Sequence, residues 1–344
     1  MLWAISGGAG FLGLHLARRL LADGHAVRTL DLAALDEPHL ERSVEELRGD
    51  VRDPRRAADL VRGAGVLVHA AAALPIQVEE HAIRSVNVGG TATVLAAALE
   101  AGVQRVVLIS STAVYGIPEV HPLDEGAPLV GVGHYGHSKI EAESVARELG
   151  RRGLDLITLR PKTFIGPERL GVFEILFDWI HGGRRIYLLG DGSNRYQLLA
   201  VEDLVEAIIR ASRAPVAGET LNVGASRFGT VRSDLQALID HAGSASRLTP
   251  VPPRPAEAAL RLLELLRLSP LAEWHYKTAH RDSFVDSSRA ERLLGWTPRL
   301  SNEEALIRTY DWYLANRDVA ARAVGSTHRV PWRQGALALV KRFS

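Results

Sequence analysis

Cysteine is absent from the sequence, which excludes disulfides, thiolate catalysis and cysteine-ligated zinc or iron–sulfur centres. That absence is compatible with a reducing cytoplasm, the expected location. An excess of charge is missing too: 41 basic residues against 40 acidic ones leave a net charge of +1. No global field therefore draws nucleic acid or another polyanion, and any anion has to be bound locally. No run of about 18 apolar residues occurs, the least that crosses a bilayer, so no transmembrane helix is expected. The N-terminal Met1-Leu2-Trp3-Ala4-Ile5 is apolar but runs at once into Ser6-Gly7-Gly8 and lacks the basic start of a signal peptide. Internal repeats, low-complexity tracts, metal-ligand spacing among the histidines and nucleic-acid-binding motifs are likewise not found.

What is present suits a packed α/β protein. Hydrophobic residues make up 47% and charged residues 24% of 344 residues. That length predicts one large domain and a smaller lobe, because single cores stop growing beyond roughly 250 to 300 residues. Short apolar runs at 2–6, 26–31, 66–69, 105–110 and 154–160 alternate with helical patterns at 11–23, 54–62, 80–101 and 136–150. This rhythm predicts a doubly wound parallel sheet (Rossmann) with ligands beyond the carboxyl ends of its strands. After Pro161 the rhythm loosens, with a proline-rich connector at 250–255. The expected division is a nucleotide domain at 1–163, rejoined by 198–225, a substrate lobe at 164–197 and 226–316, and a basic tail at 317–344. A leucine-rich helix at 259–268 is expected to pack in the substrate lobe; a lid over a greasy substrate and a membrane-surface face are the alternatives. For the tail a frayed terminus is expected, with weak contact with an anionic membrane as the alternative.

Gly7-Gly8-Ala9-Gly10-Phe11-Leu12-Gly13 follows the first strand and opens the first helix. Glycines at 7, 10 and 13 permit a tight turn and close backbone approach, and the helix start at Phe11 and Leu12 turns N–H groups toward a pyrophosphate. Asp31 closes the second strand, where its carboxylate accepts from ribose hydroxyls and repels a 2′-phosphate, favouring NAD over NADP. Asp50 and Val51 are expected to border the adenine, whereas Asp53-Pro54 reads as a helix N-cap. Tyr135 and Lys139, four apart at the start of a helical pattern, share a face. A free tyrosine titrates near about 10, and a nearby ammonium and an oxidised nicotinamide both favour its phenolate, which makes it a base. Ser110-Ser111-Thr112 ends the fourth strand and supplies a hydroxyl.

With these motifs, His69-Ala70-Ala71, Asn87-Val88-Gly89-Gly90-Thr91, Arg160-Pro161, Val201-Glu202-Asp203-Leu204 and Leu294-Gly295-Trp296-Thr297-Pro298, the chain resembles the extended short-chain dehydrogenase/reductases, in the nucleotide-sugar epimerase and dehydratase group. The resemblance implies Ser111, Tyr135 and Lys139 as catalytic residues, with Lys139 on the nicotinamide ribose, Ala70 beside the cofactor, and Asn87 supporting the active-site backbone or a relay water. It also implies a homodimer. Thr163 and Arg195 match positions that contact a substrate diphosphate, although many relatives carry asparagine at the former, and Lys162 is a candidate to compensate. The later arginine–aspartate segment is not recognisable, since Arg281-Asp282 lies close to Asp286. Two enzymatic readings stay open: a nucleotide-sugar 4-epimerase-like enzyme, or a reductase or dehydrogenase of a hydrophobic, steroid- or lipid-like alcohol or ketone. A third, a non-catalytic NAD sensor, is disfavoured because both Tyr135 and Lys139 are retained.

Overall fold

The apolar runs between glycines and helices become strands buried on both faces, as a parallel sheet covered by helices demands. The computed structural model describes residues 1–74, 80–265 and 273–317. In chain order the strands are β1 (Leu2–Ser6), β2 (Ala26–Asp31), β3 (Val44–Arg48), β4 (Val66–His69), β5 (Arg105–Ile109), β6 (Leu156–Pro161), β7 (Thr163–Ile165), β8 (Ile186–Leu189), β9 (Leu198–Ala200), β10 (Thr220–Val223) and β11 (Leu248–Val251). Seven of them form one sheet in the order β10-β6-β5-β4-β1-β2-β3, all neighbours parallel. The order reverses between β1 and β4, which opens a crevice beyond their carboxyl ends.

Helices Phe11–Ala22 and Val201–Arg213 cover one face around Trp3, Ile5, Leu14, Leu16, Val107, Ile157 and Leu204. Helices Pro54–Val61, Thr91–Glu100 and Gly133–Arg151 cover the other, around Ala4, Leu67, Val94, Leu95 and Val106. Asp53 does cap its helix, accepting from the Arg55 N–H with Pro54 in the first turn. The helical pattern at 80–101 is an α–π–α composite, with π geometry over Ser85–Gly90. Its stretch from His81 to Glu100 is long and apolar enough to cross a membrane, but Ile83, Val94, Leu95 and Ala98 are core residues of the sheet's cover.

A second core gathers Ile165, Phe177, Trp179, Ile186, Leu198, Leu238, Leu306, Tyr310 and Tyr313. It holds helices Val172–His181, Val231–His241 and Asn302–Ala315 and the parallel pairs β7–β9 and β8–β11. Pro250, expected in a connector, lies in β11 opposite Leu188. A two-stranded sheet consists of edges, where a missing N–H costs nothing. The leucine-rich segment starts earlier than its pattern suggested, as helix Pro253–Leu265; residues 266–268, like the basic tail from 318 onward, lie outside the described residues.

Candidate active site

The turn after β1 is built for close approach. Gly7 has a φ of +77°, and a Cβ there would lie 2.8 Å from the Ala71 nitrogen. A Cβ on Gly13 would stand 2.3 Å from the Gly7 carbonyl oxygen, so glycine is what lets the first helix pack against its own turn. Gly10 meets only the Gly7 carbonyl at 3.2 Å, and no side chain caps the helix that starts at Phe11. Its first N–H groups and positive dipole end thus face the crevice, with the Phe11 and Leu12 side chains turned into the core. Asp31 fixes this loop, accepting from the Ala9 N–H at 3.0 Å through one oxygen and the Ala33 N–H at 3.0 Å through the other. Burial pushes its carboxyl upward against these bonds. Ala70 follows β4 and donates to the Ser6 carbonyl. Val51 is buried, while the Asp50 carboxylate is held by Arg52 at 2.5 Å, which lowers its pKa. These residues fit a dinucleotide: a side-chain-free cradle, unpaired helix N–H groups and a carboxylate at the end of β2.

The second group converges from β5 and helix Gly133–Arg151. Ser111 follows β5 and accepts from the Ala113 N–H at 3.1 Å, with its hydroxyl near enough to the Tyr135 phenol to favour ionisation. Tyr135 sits in the first helical turn, so Lys139 stands one turn on, its Nζ 5.9 Å from the tyrosine ring centroid. Lys139 is buried and donates to the Ile109 carbonyl at 3.0 Å. Burial pushes the phenol up to about 12, against the pull of the Ser111 hydroxyl and the Arg169 charge. Burial also lowers the Lys139 ammonium to about 8, opposed by Glu143. Asn87, within the π turn, accepts from the Ala73 N–H at 2.7 Å and donates to the Ala73 carbonyl and the Ser138 hydroxyl. Ser138 in turn donates to the Tyr135 carbonyl at 2.8 Å. Asn87 therefore ties the loop after β4 to the turn that carries Tyr135.

Behind these residues lies a polar network with no local sequence signature. Glu143 accepts from the Ser110 hydroxyl at 2.6 Å and is clamped by Arg160 at 2.9 and 2.6 Å. Arg160 continues to the Tyr115 hydroxyl, which donates to Asn222 on β10 at 2.7 Å. His69 bridges the Ser6 and Thr91 hydroxyls, and burial pushes its imidazole down to about 3, so it is neutral.

On the substrate side the expected residues are more dispersed. The Thr163 hydroxyl pairs with that of Tyr196 at 3.1 Å. Lys162 is buried, donates to Ser283 at 2.6 Å and faces the Tyr196 ring. Burial alone pushes its ammonium down to about 7. Arg195 is exposed, its guanidinium 4.6 Å from the Phe228 ring centroid and 4.7 Å from that of Phe284. A residue missed in the sequence is Arg169, which follows β7 and packs over both Phe11 and Phe164 at 5.5 and 5.7 Å. A lone arginine in a loop carries no pattern; only the fold brings it to the cofactor helix.

A sequence profile of the NAD dependent epimerase/dehydratase family matches residues 3–224. An uncharacterized protein of Sinorhizobium fredii, y4nG, is 37% identical over 340 residues, covering 98% of this chain and 84% of its own. UDP-glucose 4-epimerase of Mycolicibacterium smegmatis is 29% identical over 90% of this chain and 97% of its own, and sterol demethylase protein B of Methylococcus capsulatus is 30% identical over the same shares. Among solved structures, the dTDP-glucose 4,6-dehydratase DesIV of Streptomyces venezuelae, bound to NAD, superposes with a TM-score of 0.75 at 27% identity, over 93% of this chain and 98% of its own. UDP-glucose 4-epimerase of Thermotoga maritima gives 0.78 at 23% identity, over 92% and 100%.

Proposed function

The chain belongs to the NAD dependent epimerase/dehydratase family, and on that premise we propose that Ser111, Tyr135 and Lys139 carry hydride-transfer chemistry at a secondary carbinol carbon of a nucleotide sugar, as in a 4-epimerase. The enzyme is an NAD-dependent oxidoreductase type by its family. The observation that carries the reading is the pairing of Tyr135 with the buried Lys139 one helical turn on, its Nζ 5.9 Å from the tyrosine ring and tied to the Ile109 carbonyl at the end of β5, which Ser111 follows. NAD, when bound, supplies the hydride acceptor and donor. Gly7, Gly10, Gly13 and the N–H groups at Phe11 and Leu12 would hold its diphosphate, Asp31 its adenosine ribose, and Asp50, Val51 and Ala70 would line its course. Ser111 orients the substrate hydroxyl, Tyr135 takes its proton on oxidation and returns it on reduction, and Lys139 favours the phenolate and holds the nicotinamide ribose. Asn87 keeps the Tyr135 backbone in register.

Arg195, exposed and packed against the adjoining Phe228 and Phe284 rings, is the group suited to a substrate diphosphate, with Thr163 the second candidate contact. The test is incubation with UDP-glucose or UDP-galactose and separation of the products: interconversion is expected. No interconversion, with NADH consumed on a lipid ketone, overturns the sugar reading. That alternative, a hydrophobic alcohol or ketone, has its own support: Thr163 and Lys162 are engaged by Tyr196 and Ser283 rather than presented to a ligand. On either substrate, Tyr135→Phe is expected to lower turnover about a hundredfold or more while NAD binding persists; unchanged turnover removes Tyr135 from the chemistry.

A further inference from the structure

The loop between β7 and helix Val172–His181 is fastened to the cofactor helix Phe11–Ala22 rather than merely passing it. The Pro167 carbonyl meets His15 Nε2 at 3.0 Å, and Glu168 pairs with Arg18 at 2.6 Å. Glu168 holds a φ of +72°, a left-handed conformation costly for a residue with a Cβ. The next residue, Arg169, thereby lies over Phe11, the first residue of that helix, and over Phe164, which stacks on Phe11 at 5.8 Å with the rings 6° from parallel. Its Nε and Nη1 are buried and have no hydrogen-bond partner among the described residues. Buried guanidinium N–H groups without a partner are costly unless an anion completes them. The helix whose first residue is Phe11 starts without a side-chain cap, a feature suited to an anion.

We propose that Arg169 is a clamp for the cofactor's diphosphate, delivered from the far side of the cleft by a loop stapled to the helix whose N-terminus receives the same phosphates. Planar N–H donors suit phosphate oxygens bidentately, and the ring stack fixes the plane of the fork. The charge of Arg169 also favours the Tyr135 phenolate, so the same side chain bears on the proton-transfer residue. The proposal rests on the NAD reading of the glycine cradle.

Calorimetric titration of the full chain with NAD, ADP-ribose, adenosine and UDP tests it. Arg169→Leu is expected to bind NAD and ADP-ribose about tenfold or more weaker, with adenosine binding unchanged and Arg169→Lys recovering part of the loss. Arg169→Gln, closer in shape and polarity, is expected to show the same loss and serves if the leucine variant does not give a native circular dichroism spectrum. Variants that bind ADP-ribose as the wild type does overturn the clamp. Weakened UDP binding with intact ADP-ribose binding also overturns it, by assigning the guanidinium to the substrate. A wild-type protein that binds neither NAD nor ADP-ribose overturns the cofactor reading itself, a result distinct from equal binding by wild type and variants.

Discussion

Two lysines are buried in the cleft region, and their surroundings separate their roles. Lys139 has the Ile109 carbonyl to donate to and Glu143 one turn beyond it, so its charge is partly supported. Lys162 has the Ser283 hydroxyl and the Tyr196 ring, and burial lowers its ammonium from 10.5 to about 7. Below pH about 7 both folded and unfolded chains hold the Lys162 proton, so the cost of burying the charge is fully present. Between about 7 and 10.5 the unfolded chain alone keeps it, and stability rises with pH through that window. Lys162→Met, which removes the charge and keeps the length, is therefore expected to stabilise the fold by about 2 kcal/mol at pH 6. The gain is expected to shrink toward pH 10, read from urea midpoints at the two pH values. A gain independent of pH would show that packing, not charge, limits the wild type.

At the scale of elements, the π turn Ser85–Gly90 joins fold to site, because Asn87 within it binds both strands of backbone polarity at Ala73 and the hydroxyl of Ser138. Asn87→Ala leaves the Ala73 N–H without its partner, and a loss of about 2 kcal/mol is expected from chemical denaturation. Turnover is expected to fall further than stability alone explains, since Ser138 loses the donor that orders the Tyr135 turn. The core strands were legible because apolar runs flanked by glycine and helical periodicity leave few alternatives. β3 was not: its Val-Glu-Glu-Leu-Arg sequence is that of an edge strand, mostly wetted, and polar residues hide the period. The glycine turn, Asp31 and the Tyr135–Lys139 pair stood out because each obeys a local spacing rule, whereas Ser111 was singled out from Thr112 only through the family resemblance. Glu143–Arg160 and Arg169 were not, because their partners are distant in sequence and only tertiary packing makes them neighbours.

Across the whole molecule, the chain does not finish one lobe before starting the other. It leaves the main sheet after β6, returns for helix Val201–Arg213 and β10, departs again, and returns with Ala290, Leu294 and Trp296 packed in the first core. It then closes the second core with Leu306, Tyr310 and Tyr313. Asn302 stitches the last crossing, donating to the Tyr196 carbonyl and Asp234 and accepting from the Leu198 N–H. Trp296 donates to the Asp203 carbonyl, and the Asp203 carboxylate accepts from the N–H groups of Arg299 and Leu300. With each core drawing on separated stretches, the two lobes are expected to unfold together, as one calorimetric transition whose van't Hoff and calorimetric enthalpies agree. Two resolved transitions would mean that the lobes are held apart more loosely than these bonds imply.

Such interleaving also constrains inheritance. A single recombination junction between this protein and a relative would give each core a mixture of parental surfaces at helix Val201–Arg213, at Trp296 or at helix Asn302–Ala315. A new substrate specificity is reached more readily by point changes along the cleft than by grafting a foreign lobe, because the lobe is not a contiguous piece of gene.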